Sequence, residues 1–133
     1  MTNITEKEIL ELSEKYNLRI IKVQSQDVWD CSVYIDHSLL NNDSDKLLKY
    51  TVMNGEITFC ACFEKLETVY DTSDNTVSCR FITEYLLGTR IDNYAEMDNF
   101  IKKQIRALDL ADLMEKKIRM DLKINSIKQD FNG

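Results

Sequence analysis

Proline is absent from this 133-residue chain, glycine occurs three times, and His37 is the single histidine. With so few residues that break or loosen a backbone, no low-complexity linker divides the sequence, and one α+β domain over 1–133 is expected. Glycines at 55, 88 and 133 do not make the glycine-rich turn that cradles phosphate at the start of a helix. Any Cys–His or Ser–His nucleophile pair would have to use His37, and nothing around it matches a nucleophile elbow or a cysteine-protease signature. Ordinary surface is the expectation for that histidine. No apolar run reaches the length of a membrane span, so no membrane partner is expected. The opening Met1-Thr2-Asn3-Ile4-Thr5-Glu6 lacks the basic and apolar stretches of a signal peptide, which makes the cytoplasm the expected location.

Cysteine is present but sparse: Cys31, Cys60, Cys62 and Cys79. A chain of this length buries a core without disulfides, so free thiols are expected in a reducing compartment. On an unbroken strand Cys60 and Cys62 point to one side, where two thiolates can share a zinc ion. A zinc knuckle, however, separates its thiolates by two residues, and no second close pair exists here. Small buried thiols are the favoured reading, and neither a metal nor another cofactor is expected.

What the chain has in quantity is acid. Net charge is −6 and the isoelectric point is about 4.8. Residues 1–101 hold nine Lys/Arg against eighteen Asp/Glu, net −9, whereas residues 102–133 hold eight against five, net +3. An acidic body repels phosphate at long range, so direct nucleic-acid binding is not expected, and a basic protein surface suits it better. Three carboxylate pairs stand out: Asp27 and Asp30, Asp43 and Asp45, Asp71 and Asp74. Acid–base or metal-assisted hydrolysis needs such pairs in a desolvated cleft. These fall in or near turns, where solvated carboxylates instead present charge to a partner. No catalytic residue is assigned, and these six are the candidate partner-binding residues. Among the tyrosines Tyr34, Tyr50, Tyr70, Tyr85 and Tyr94, one left exposed beside an acidic loop would make an interface anchor. Lys102, Lys103, Arg106, Lys116, Lys117, Arg119, Lys123 and Lys128 are interleaved with Asp109, Asp112, Glu115 and Asp121, which reads as a solvated, internally paired helix face.

Local patterning supplies the elements. Thr5 and Glu8 form a capping box, Ile4 and Ile9 a hydrophobic staple, and residues 6–16 a helix that ends at Asn17. Leu18–Val23 reads as a strand whose alternation slips at Ile20-Ile21, implying a bulge or burial of both faces. Val28–Ile35 alternates cleanly, with Trp29, Cys31, Val33 and Ile35 on one face. Asn54-Gly55, between apolar β-branched runs, is a type I′ hairpin signal. It sets Met53 opposite Glu56, Val52 opposite Ile57, Tyr50 opposite Phe59 and Leu48 opposite Ala61. A second hairpin turns through Thr72-Ser73-Asp74-Asn75 and sets Tyr70 opposite Val77, Thr68 opposite Cys79, Glu67 opposite Arg80 and Leu66 opposite Phe81. Its second strand is expected to run to about Ile82 and pass into a helical turn stopped by Gly88. From Asn93 a helical stripe runs through Tyr94, Met97, Ile101, Ile105 and Leu108. It shifts at Leu108-Asp109-Leu110 and continues through Leu113, Met114, Ile118 and Leu122, giving one curved helix or two.

The expected fold is an antiparallel sheet of about four to six strands, with an N-terminal helix and a long C-terminal helix or helix pair packed on it. A proline-free chain rich in Ile, Asn, Asp and Lys is common where coding DNA is AT-rich. In size, charge and composition, though by no motif, it resembles accessory proteins of phages and mobile elements, among them anti-CRISPR inhibitors. That resemblance implies a non-enzymatic binder that blocks a nucleic-acid-binding effector. An immunity or antitoxin protein, or a small-molecule or nucleotide sponge, is the alternative expectation.

Overall fold

The structure, a computed structural model, describes residues 3–74, 76–85 and 91–132, with the backbone alone described for 61–65, 81–85 and 130–132. Helix α1 (Glu6–Lys15) is followed by strands β1 (Leu18–Ser25), β2 (Val28–Ile35), β3 (Lys46–Met53), β4 (Glu56–Asp71) and β5 (Thr76–Tyr85), then helix α2 (Tyr94–Asn132). The strands form one five-stranded sheet in the order β1-β2-β3-β4-β5, every neighbouring pair antiparallel. The fold is α+β, as the patterning implies.

Helix α1 begins where its sequence says it should. Thr5 Oγ1 accepts the Glu8 amide at 3.2 Å, and Glu8 Oε1 accepts the Thr5 amide at 3.1 Å. These bonds satisfy two amides that the first turn leaves without intrahelical partners. Ile4, Ile9 and Leu12 are buried in the core, and Asn17, at φ 54°, turns the chain into β1.

Asn54 and Gly55 adopt φ 52° and 77°, the left-handed pair a type I′ turn requires. The expected register holds from Met53↔Glu56 to Tyr50↔Phe59 and then slips. Lys49 pairs with Ala61 and Leu48 with Cys62, not with Ala61 as simple counting gives. Cys60 is the extra residue of a bulge. Strand β4 pairs with β3 over Glu56–Cys62 and with β5 over Ala61–Asp71, so it bends where it changes partner.

The β4–β5 ladder has the expected register at Leu66↔Phe81, Glu67↔Arg80, Thr68↔Cys79 and Tyr70↔Val77. It does not give way to a helical turn after Ile82. Glu84 pairs with Cys62 and Tyr85 with Ala61, because a neighbouring strand satisfies this backbone better than a short helix would. Gly88, the expected stop, lies outside the described residues, as does Asn75 of the turn. Strand β1 departs from expectation too. It pairs with β2 without a register shift from Leu18↔Ile35 to Ser25↔Val28, and Ile21 is 41% exposed on the face opposite Ile20. The slip in alternation is therefore neither a bulge nor double burial, but an apolar residue on the open face of an edge strand.

Helix α2 continues unbroken through Asp109 for 39 residues, about 58 Å at 1.5 Å per residue. Met97, Ile101, Gln104, Leu108 and Ala111 are buried at alternating spacings of four and three, one stripe of the helix. With α1 they join the core around Cys31, Val33, Leu48, Tyr50 and Val52. Tyr50 is 1% exposed and meets Phe59 edge to face, centroids 6.0 Å apart. Trp29 shares the face of Cys31 but sits at the end of the sheet, 41% exposed.

Candidate interaction surface

In an up-and-down sheet successive connections alternate between the two ends. That rule divides the six candidate carboxylates. Asp27, in the β1–β2 turn, and Asp30, early in β2, lie at the end that also holds the Asn54-Gly55 turn. Asp43 and Asp45 in the β2–β3 connection, and Asp71 and Asp74 at the β4–β5 turn, lie at the other. The six are thus not one patch.

The four at the second end are held by local hydrogen bonds. Asp45 Oδ2 accepts the Asn41 amide at 2.7 Å, and the Asp43 amide donates to Asn41 Oδ1 at 3.1 Å. Asp71 Oδ1 accepts from Ser73 twice, from the hydroxyl at 2.6 Å and from the amide at 2.9 Å. These bonds stabilise the ionised form and hold the Asp71 carboxyl below its usual range. Asp74 Oδ1 accepts the Thr76 hydroxyl at 3.0 Å. The amide of Cys79 donates to the carbonyl of Leu39 at 2.9 Å, which ties the β2–β3 connection to β5 near the turn.

Beside this turn stands an aromatic. Tyr70 precedes Asp71 and is 44% exposed, whereas Tyr34 and Tyr50 are buried at 5% and 1% and Tyr94 is half-buried. The side chain of Tyr85 lies outside the described residues. Val69, on the opposite face of the ribbon, is also exposed. The β4–β5 turn therefore presents a large amphipathic side chain next to two oriented carboxylates.

Other groups are committed to local structure. His37 Nδ1 accepts the Leu39 amide at 3.1 Å, so the ring caps a turn. Burial pushes the Cys31 and Cys79 thiols up, which keeps them protonated and poorly nucleophilic. Cys60, the bulged residue, lies 3.7 Å from the Thr58 carbonyl oxygen and 3.9 Å from Thr51 Oγ1. The side chain of Cys62, its sequence-level companion for zinc, lies outside the described residues. Among the described residues no three His, Cys, Asp or Glu side chains gather to hold a metal ion.

A groove of about 460 Å³ runs between Ser38, Leu39, Thr76 and Val77 on one side and Asp112, Glu115, Lys116 and Arg119 of α2 on the other. Its charges pair along the helix, Lys116 with Asp112 at 3.3 Å and Arg119 with Glu115 at 2.6 Å, leaving the wall neutral. A second cluster, between α1 and α2, has no local signature in the sequence. Asp98 of α2 accepts the hydroxyl of Tyr16 and the ammonium groups of Lys15 at 3.1 Å and Lys102 at 3.0 Å. Only Lys102, four residues on, was legible locally. This cluster joins α1 to α2.

No helix among the described residues is long and apolar enough to cross a membrane. Compared with known proteins, the chain matches no family model, no curated protein and no solved structure.

Proposed function

We propose that this chain is a non-enzymatic binding protein that docks the β4–β5 turn onto a cationic protein surface and blocks or modulates that partner. A nucleic-acid-binding effector of a defence system in the cytoplasm is the partner class that suits its size, charge and composition, as for phage anti-CRISPR inhibitors. The observation that carries the reading is the Tyr70, Asp71, Asp74 group. Asp71 and Asp74 are already oriented by Ser73 and Thr76, so little side-chain freedom is lost on binding. Their charge steers encounter with a basic patch, and Tyr70 supplies buried area at low entropic cost. A surface that holds nucleic acid is cationic for the same reason that it attracts these carboxylates.

The test is affinity purification from the native host with mass spectrometry, using the chain and two variants, Tyr70→Ala and the double change Asp71→Asn with Asp74→Asn. A cationic nucleic-acid-binding protein is expected, retained less well as salt rises. Tyr70→Ala should weaken binding by about 2 kcal/mol, roughly 30-fold. The carboxamide variant should mainly slow association. Recovery of no macromolecular partner, or retention indifferent to both variants, overturns the proposal. Recovery of a toxin of another chemistry would move the chain to the immunity class.

A further inference from the structure

We propose that Asn54 is a self-modifying site, at which the Gly55 backbone nitrogen attacks the Asn54 carboxamide and converts it, through a cyclic imide, into aspartate and isoaspartate. Asn54 and Gly55 are the two residues of the β3–β4 turn, and both are exposed. The closing pair Met53↔Glu56 belongs to the ladder, so the Gly55 amide lies outside it. Gly55 carries no side chain, and a Cβ there would meet no atom within 4 Å, so the approach to its nitrogen is open. The side-chain oxygens of Asn41, Asn42 and Asn93 are held by the amides of Asp43, His37 and Glu96. Among the described residues no such bond restrains the Asn54 carboxamide. Asn17 also has a positive φ, but it precedes Leu18, whose branched side chain hinders its own nitrogen. The other Asn-Gly of the sequence, Asn132-Gly133, falls outside the residues whose side chains are described.

Water is the only co-reactant. The Gly55 nitrogen gives its proton to solvent and bonds to Cγ of Asn54. The Cγ–Nδ2 bond breaks, and the nitrogen takes a proton from solvent and leaves as ammonia. Nucleophile and target belong to adjacent residues, so ring closure is intramolecular. It rotates the backbone at Asn54, and only the tip of the hairpin has to open. Water then cleaves the imide at either carbonyl. Breaking the new bond to Cγ gives aspartate; breaking the original peptide bond leaves the chain running through Cγ, which is isoaspartate. Either product adds a negative charge at the end of the sheet that already holds Asp27 and Asp30. Isoaspartate also lengthens the backbone of the turn by one methylene. That turn sets Val52 opposite Ile57 and Tyr50 opposite Phe59, side chains in or against the core. The centre of the sheet is therefore weakened as the chain ages.

The experiment is incubation of the folded full chain at neutral and mildly alkaline pH, read by peptide mapping with mass spectrometry and by enzymatic methylation of isoaspartate. Asn54 should lose its amide ahead of Asn17, Asn41, Asn42 and Asn93, and faster as pH rises, because the deprotonated nitrogen attacks. Gly55→Ala should slow the loss by about tenfold or more while the circular dichroism of the sheet is retained, since a β-carbon raises the barrier beside that nitrogen. Asn54→Asp carries the added charge on an ordinary backbone and should unfold at nearly the same urea concentration as the parent chain. The isoaspartate fraction should unfold at a lower one. An Asn54 amide that outlasts those of the other four, or a loss indifferent to pH or to Gly55→Ala, overturns the proposal. Modification confined to Asn132 overturns it too. An isoaspartate fraction as stable as Asn54→Asp overturns the weakening of the sheet.

Discussion

At the scale of single residues, Asp98 is the clearest determinant of pH dependence. The Tyr16 hydroxyl above all, then the ammonium groups of Lys102 and Lys15, holds its carboxyl at about 2. An unfolded aspartate titrates near ~4, so between these values the unfolded chain binds more protons than the native one. The stabilisation is complete above the unfolded value and is lost as pH falls toward 2. Asp98→Asn is expected to lower stability near neutrality by about 1 kcal/mol, after allowance for exposure of its partners. The difference should shrink as pH falls toward 2. Urea unfolding of both proteins across that range checks it; a gap independent of pH would mean that packing, not charge, ties α1 to α2. Thiol chemistry makes a second residue-scale prediction. Cys31 and Cys79 are buried, at 0 and 4% exposure, and their thiols are pushed up. Native alkylation followed by mass spectrometry should label them last, after the partly exposed Cys60.

Among the elements, what was legible depended on how local the determining interactions are. The capping box of α1 and the Asn54-Gly55 turn involve residues within a few positions of one another, and both are as the sequence implies. The β4–β5 register was readable because the Glu67–Arg80 pair and the apolar partners fix it from within one hairpin. The bulge at Cys60 was not readable, since it arises where β4 leaves β3 for β5, and simple counting knows nothing of a third strand. The same ignorance favoured a helical turn after Ile82. The candidate carboxylates lie in or near turns as expected, Asp30 and Asp71 within strands beside them, yet which turns share an end is a property of the meander and separates Asp27 and Asp30 from the others. The Asn54-Gly55 turn also offers a clean energetic test. Gly55 sits at φ 77° and a Cβ there would meet no atom within 4 Å, so Gly55→Ala costs backbone strain alone. A loss of about 1 kcal/mol in urea unfolding is expected. A neutral outcome would show that the turn changes type at little cost.

For the whole molecule, the governing fact is that α2 changes character along its length. Its first half closes the core over the sheet; beyond Leu122 its described side chains are exposed throughout. Ending the chain after Leu122 therefore removes no buried side chain among the described residues. It removes Ile124 and Ile127, the far end of an exposed apolar stripe, with Lys123 and Lys128. The folding of the shortened monomer should lie within about 0.5 kcal/mol of the full-length monomer, as for changes away from the core. The melting temperatures of the two chains should therefore lie close together at every protein concentration. If instead the shortened chain melts lower at every concentration by the same amount, residues 123–133 support their own body, and the exposed stripe of α2 stabilises the fold within one copy.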